Sequence, residues 1–275
     1  FDSSYAFGSQ NTINSNRSFV VGRNNTANGL SSFINGSSNL ITGQYSAVFG
    51  SNDTAATYSF ATGQKNKITG NYSLASGNQN NIAGSYAMAA GDRDTVSGNY
   101  SYAFGLQNKI TSNKSFTSGY NNKISDTISF ALGQSNTLTA PSDVAIGSSN
   151  VIKAIQSQVF GTRDTINAGI LHMALGDGNK LSSLNNSSPH PRIMTFGNNN
   201  KITMTSNPSQ NLQIANCFAI GNENVIKYGF YRASSQAVSY QSSNLIGWYN
   251  ESDTADLSYA FGLGNGFAKS DGAST

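Results

Sequence analysis

Cysteine occurs once in the 275 residues, at Cys217, which excludes an intrachain disulfide framework and any cysteine-rich metal site. Histidine occurs twice, at His172 and His190, and neither has a ligand partner at metal-binding spacing. Charge is scarce: 11% of residues are Asp, Glu, Lys or Arg, against about a quarter in an average globular protein. The net charge of +3 is spread without a Lys/Arg cluster, which argues against nucleic acid as a partner. No run of about 18 apolar residues is present, so no segment reads as a membrane-spanning helix. No basic stretch followed by an apolar one opens the chain, which begins at Phe1, and the sequence is read as a segment of a longer protein. Low charge does not mean disorder, because 15 Phe and 13 Tyr supply ample apolar surface.

What fills the gap is Gly, Asn and Ser, arranged in a repeat. The phrase SYAFGSQNTI at residues 4–13 returns as SYAFGLQNKI at 101–110 and SYAFGLGNGF at 258–267. Aligned on its glycine, the series runs Gly8, Gly22, Gly36, Gly50, Gly63, Gly77, Gly91, Gly105, Gly119, Gly133, Gly147 and Gly161, at intervals of 14 residues except for one of 13. It continues less evenly through Gly176, Gly197, Gly221 and Gly262, with a degenerate copy whose glycine position falls on Gln241. A period this short, punctuated by Gly and Asn, leaves room for two short strands and two turns but not for a helix pair.

Each position of the repeat has a physical reading. Three residues after every one of those glycines stands Asn or Asp, such as Asn11, Asn25 and Asp53. Stacked in register, these predict a side-chain amide ladder. Two residues further on, an aliphatic such as Ile13, Ile41 or Ile110 alternates with polar neighbours, as in a strand with one buried face. In the strand before the glycine, Ser and Ala alternate with large apolar residues: Tyr5 and Phe7, Phe19 and Val21, Tyr102 and Phe104, Phe130 and Leu132. The small pair fits a narrow coil interior, so the large pair faces out. The first outward column is apolar in every copy but one, where Gln158 stands. A strand apolar on both faces is buried on both faces, and an open stripe of this kind exceeds what a monomer ordinarily leaves in water. Other copies of the chain are the simplest cover, with Tyr5, Phe7, Phe19, Tyr102, Phe104 and Phe130 at the interface; spacing alone does not choose between two copies and three.

The unit Ser-x-Ala-φ-Gly-x-x-Asn-x-Ile, where φ is an apolar residue, resembles the head repeat of trimeric autotransporter adhesins, the YadA-like head. The likeness is nearly continuous from Ser4 to Ile166 and recurs at intervals to Phe267. It implies an all-β, left-handed parallel β-roll assembled as a homotrimer, carried on a coiled-coil stalk above an outer-membrane anchor on a bacterial cell surface. It also implies a non-enzymatic role without cofactors: attachment to a host matrix component such as collagen, fibronectin or laminin, or to an immunoglobulin-type receptor. The outward columns here favour Phe and Tyr where such heads often carry Val or Ile, which implies a wider or differently packed trimer core. Neck, stalk and anchor patterns are absent from this segment.

Residues 1–181 read as the regular head, and residues 182–275 as its continuation with four long insertions, at 182–192, 203–216, 227–236 and 247–257. Insertions in a solenoid commonly gather on a binding face. Two carry interface-type composition: Tyr228, Phe230, Tyr231 and Arg232 in one, Trp248 and Tyr249 in the other. These are candidate ligand-binding residues, with sealing of a neighbouring protomer's edge as the competing reading. His172 and Cys217 both take the small Ser position and are read as structural. GLGNG at 262–266 lacks the following helix of a phosphate loop, and no paired carboxylates suggest glycoside cleavage. The alternatives to an adhesin are a tailspike-like or glycan-processing β-solenoid and a purely structural surface solenoid.

Overall fold

The computed structural model describes residues 3–183, 192–205, 217–229, 242–253, 257–264 and 266–267. Among them every regular element is a β-strand, and the fold is a parallel β-solenoid of coils about 14 residues long. The chain divides into two compact units, Phe1–Ser135 and Asn136–Thr275, described in turn.

In the first unit each coil contributes a five-residue strand and a two-residue strand, as in Tyr102–Leu106 and Lys109–Ile110. Like positions pair with like positions in the next coil: Tyr102 with Phe116, Ala103 with Thr117, Gly105 with Gly119, and Ile110 with Ile124. A strand this short cannot hold itself together, so its hydrogen bonds go to the coils above and below. Two tight corners per coil place non-glycine residues in the left-handed region, for example Gln107 (φ 58°) and Lys114 (φ 56°). That conformation costs roughly 1 kcal/mol per residue. It also directs the corner amides between coils, as in Gln107 N–H to Asp92 C=O at 2.9 Å.

The repeat glycine answers a harder demand. Gly105 has φ +125°, and a Cβ there would lie 2.1 Å from the Gly119 carbonyl oxygen. No other residue fits.

The interior is narrow and filled coil by coil. Ala61 with Ile68, Ala75 with Ile82, and Ala103 with Ile110 are all fully buried. Where the short strand has only alanine, at Ala27 and Ala55, the long strand enlarges its inward residue to Val20 and Val48. The one doubly large coil, Ile34 with Ile41, sits between those two. Volume is thereby conserved between neighbours, as close packing requires.

The Asn column forms the expected ladder. Asn80 accepts the Asp94 backbone N–H on Oδ1 at 3.0 Å and donates from Nδ2 to the Gly91 carbonyl at 3.0 Å. Each amide joins its own coil to the next one. The Ser column does the same at the other corner: Ser73 Oγ donates to the Gly84 carbonyl at 2.9 Å and accepts the Ala87 N–H at 3.2 Å.

The second unit repeats this plan with longer connections. Ala145 pairs with Val159, Gly147 with Gly161, and Ile152 with Ile166. His172 is buried in the Ser column, and its Nδ1 accepts the Ile193 N–H at 3.2 Å, so that nitrogen carries no proton. Its ring fills the space beside Gly169, where a Cβ would meet Nε2 at 2.0 Å. Cys217 is buried and pairs with Ile193.

One sequence expectation is overturned. The degenerate copy is centred on Gly247, not Gln241: Gly221 pairs with Gly247 and Gly247 with Gly262. The reason is steric, since Gly247 has φ +124° and a Cβ there would lie 1.9 Å from the Gly262 carbonyl oxygen. Asn250 accordingly takes the ladder position, donating to the Gly262 carbonyl at 3.0 Å. Asn244 stands at the register position of Phe218 and Tyr259. The Ser position is Ser243, paired with Ser258, and the short strand is Glu251–Asp253. By this register five residues, 253–257, separate the short-strand position Ser252 from the Ser position Ser258, and sixteen, 227–242, separate Ile226 from Ser243.

Candidate functional site

In the single chain the outward face of the long strands is an apolar surface made of two columns. Tyr5 and Phe7 are 58% and 56% exposed in the first coil, and Phe19 and Tyr102 also count as exposed. Phe104 and Phe130 are half-buried by their neighbours in the stack. Rings pack along the face both within and between the columns: Phe7 against Phe19 (centroids 5.6 Å apart), Phe19 against Phe33 (5.5 Å), Phe33 against Phe49 (5.0 Å) and Phe49 against Phe60 (5.7 Å). A second run joins Phe104, Phe116 and Phe130 at 5.6 and 5.1 Å. Between the runs the outer column shrinks to Thr62, Ser76 and Ala90, leaving a lower stretch of surface bounded by aromatic rings at both ends. The second unit continues the theme with Ile146, Phe160 and Ile220 exposed.

The candidate ligand-binding residues are not all brought together. Trp248 and Tyr249 are adjacent and open, 51% and 58% exposed, at the corner after Gly247. They therefore belong to a regular coil and not to the insertion assigned from the sequence. Tyr249 adopts the left-handed conformation (φ 58°). Tyr228 lies on the strand Val225–Gly229; Phe230, Tyr231, Arg232 and the His190 turn lie outside the described residues. Near the first two, Lys227 and Glu251 of neighbouring coils form an ion pair at 2.5 Å.

No family model matches the chain, and no curated protein is similar to it.

A feature absent from the sequence reading lies at the corner preceding the Ser column. Tyr45, Tyr58, Tyr72, Tyr86 and Tyr100 stack at centroid separations of 5.0, 4.7, 4.8 and 5.0 Å, with planes within 14° of parallel. Each is held in the left-handed region, φ 53–56°. The signal was present as tyrosine at intervals of 13 or 14 residues, in a column that is otherwise mixed: Arg17, Ser31, Lys114 and Ile128.

Electrostatics are concentrated inside rather than on this face. Asp53, Asp94 and Asp164 replace Asn in the ladder, and burial raises the pKa of each above the ordinary 3.8, to about 6 for Asp164. In all three Oδ1 receives the next coil's N–H, while the buried Oδ2, standing where Asn places its donor, has no hydrogen-bond partner. On the surface, Arg163 pairs with Asp177 of the next coil and holds that carboxyl below its usual range. Among the described residues no group of three or more His, Cys, Asp or Glu is placed to hold a metal ion. A shallow depression of about 260 Å³ is lined by Gln156, Gln158, Leu171, His172, Met173, Arg192 and Met194.

Proposed function

We propose that this chain is the head of a bacterial surface adhesin, in which three copies pack their aromatic faces about a common axis and display the remaining surface to a host protein. The observation that carries the reading is the open apolar face. Rows of Phe and Tyr on a soluble-type β-solenoid, with polar residues on the short-strand side, are the composition of a covered interface. Its cover in this reading is the equivalent face of sister chains, with the left-handed winding that the resemblance to YadA-like heads implies. The described coils act as a rigid scaffold, and recognition falls to side chains at corners and insertions, with Trp248 and Tyr249 as the described candidates. Binding proceeds without catalysis, and trivalency multiplies a modest single-site affinity. Anchorage in the outer membrane belongs to a stalk and anchor beyond this segment.

The test is saturable binding of the purified chain to immobilised collagen, fibronectin, laminin and immunoglobulin-type receptor ectodomains, alone and with Trp248→Ala and Tyr249→Ala. Saturable binding to one of them, weakened by at least one substitution, supports the reading. An absence of saturable binding across the set counts against it.

A further inference from the structure

The five-tyrosine ladder of the first unit is exposed, regular and chemically distinct from the phenylalanine stacks beside it. Its rings are 45–51% exposed and lie nearly parallel at 4.7–5.0 Å. Stacking covers both faces of the three inner rings, so those faces are not open to a sugar or a cation, both of which need an open aromatic face. What the ladder offers is its edges: a row of phenol hydroxyls and the ring carbons ortho to them, each beside its counterpart in the next coil. Among the described residues the tyrosine–tyrosine stacks join these five alone, and not Tyr5, Tyr102 or Tyr120.

We infer that Tyr45, Tyr58, Tyr72, Tyr86 and Tyr100 form a site of oxidative tyrosine–tyrosine coupling, which joins consecutive coils through biaryl bonds. The oxidant is a haem peroxidase with hydrogen peroxide. Each phenol gives up one electron and one proton to become a phenoxyl radical, and two neighbouring radicals form a carbon–carbon bond between ortho carbons. The ortho hydrogens then move as protons to the two oxygens, restoring both phenols. Each bond removes two hydrogen atoms from the protein, and their electrons and protons reduce one peroxide to two waters. The geometry favours coupling within the chain: the partner ring is already in contact, at an effective concentration that a second molecule in dilute solution does not reach. The product is a covalent staple across turns that are otherwise held by hydrogen bonds such as Tyr72 N–H to Thr57 C=O at 3.0 Å. This inference rests on the ladder and not on the adhesin reading.

The experiment treats the purified chain with peroxidase and peroxide, then follows dityrosine fluorescence, intact mass under denaturing conditions and peptide maps. The expected result is a single-chain species lighter by two hydrogen atoms per bond, with cross-linked peptides joining consecutive ladder tyrosines. The variant with all five residues changed to Phe keeps the stack and loses those cross-links. Tyr72→Phe alone divides the ladder, leaving Tyr45–Tyr58 and Tyr86–Tyr100 as the remaining pairs. Three results would each overturn the inference: no dityrosine, cross-links only between chains, or undiminished coupling in the five-Phe variant with its fold intact by circular dichroism.

Discussion

Replacing Asp164 by Asn should stabilise the second unit at neutral pH and leave it unchanged in acid. Oδ1 of Asp164 accepts the Asn179 backbone N–H at 2.8 Å and its Nδ2–H at 2.9 Å, as an Asn would. Oδ2 is buried without a partner, where the neighbouring Asn150 donates from Nδ2 to the Gly161 carbonyl at 2.9 Å. Only a protonated carboxyl can copy that donor. Burial accordingly raises the pKa from 3.8 to about 6, against the lowering by the Asn179 hydrogen bonds. Because the folded value is the higher one, the stability this group contributes is complete below pH 3.8 and is lost as pH rises through about 6. At about 1.36 kcal/mol per pH unit, the ionised carboxylate costs about 3 kcal/mol above that window. Asp164→Asn should therefore gain about 3 kcal/mol over the parent at pH 8, shrinking towards zero near pH 4. Urea denaturation at the two pH values measures the difference, and hydrogen exchange at the Asn179 amide reports local opening in a fold whose coils can separate piecemeal. An equal gain at both pH values, or none at pH 8, would refute the reasoning.

Other substitutions probe the remaining columns. Gly105→Ala places a Cβ 2.1 Å from a backbone oxygen at a φ that alanine avoids; a loss of more than about 3 kcal/mol is expected in thermal or urea unfolding. Asn80→Ala strips the partner from the Asp94 N–H and removes one donor from the Gly91 carbonyl. At about 1–3 kcal/mol per buried unsatisfied group, it should cost about 1–3 kcal/mol and speed exchange of the Asp94 amide.

The first unit was legible because three physical demands recur in every coil with one residue type each. A left-handed glycine without room for a Cβ, an amide that donates and accepts at once, and an aliphatic filling a narrow interior leave little choice of residue. The Asp53, Asp94 and Asp164 exchanges respect the shape of that amide but not its donor, which is why composition alone did not flag them. The coil around Gly247 was misread because its volume is redistributed. Leu245 is buried in the Ala column, while Ser252 takes the short-strand position paired with Ile226. The string Asn244-Leu245-Ile246 then imitates the Asn-x-Ile of a short strand, and only pairing with Gly221 and Gly262 exposes the true register. The tyrosine ladder escaped notice because its corner is open to solvent and accepts Arg, Ser, Lys and Ile in other coils. Handedness and chain number depend on backbone twist and on contacts between molecules, which residue columns do not encode.

Sedimentation equilibrium of the purified chain tests most directly the proposal that sister chains cover the aromatic face. A mass of three chains, falling towards one when Phe33 and Phe104 are replaced by Ser, is the expected result. A dispersed single chain at every concentration, with Tyr5, Phe7 and Phe19 left in water, would contradict it.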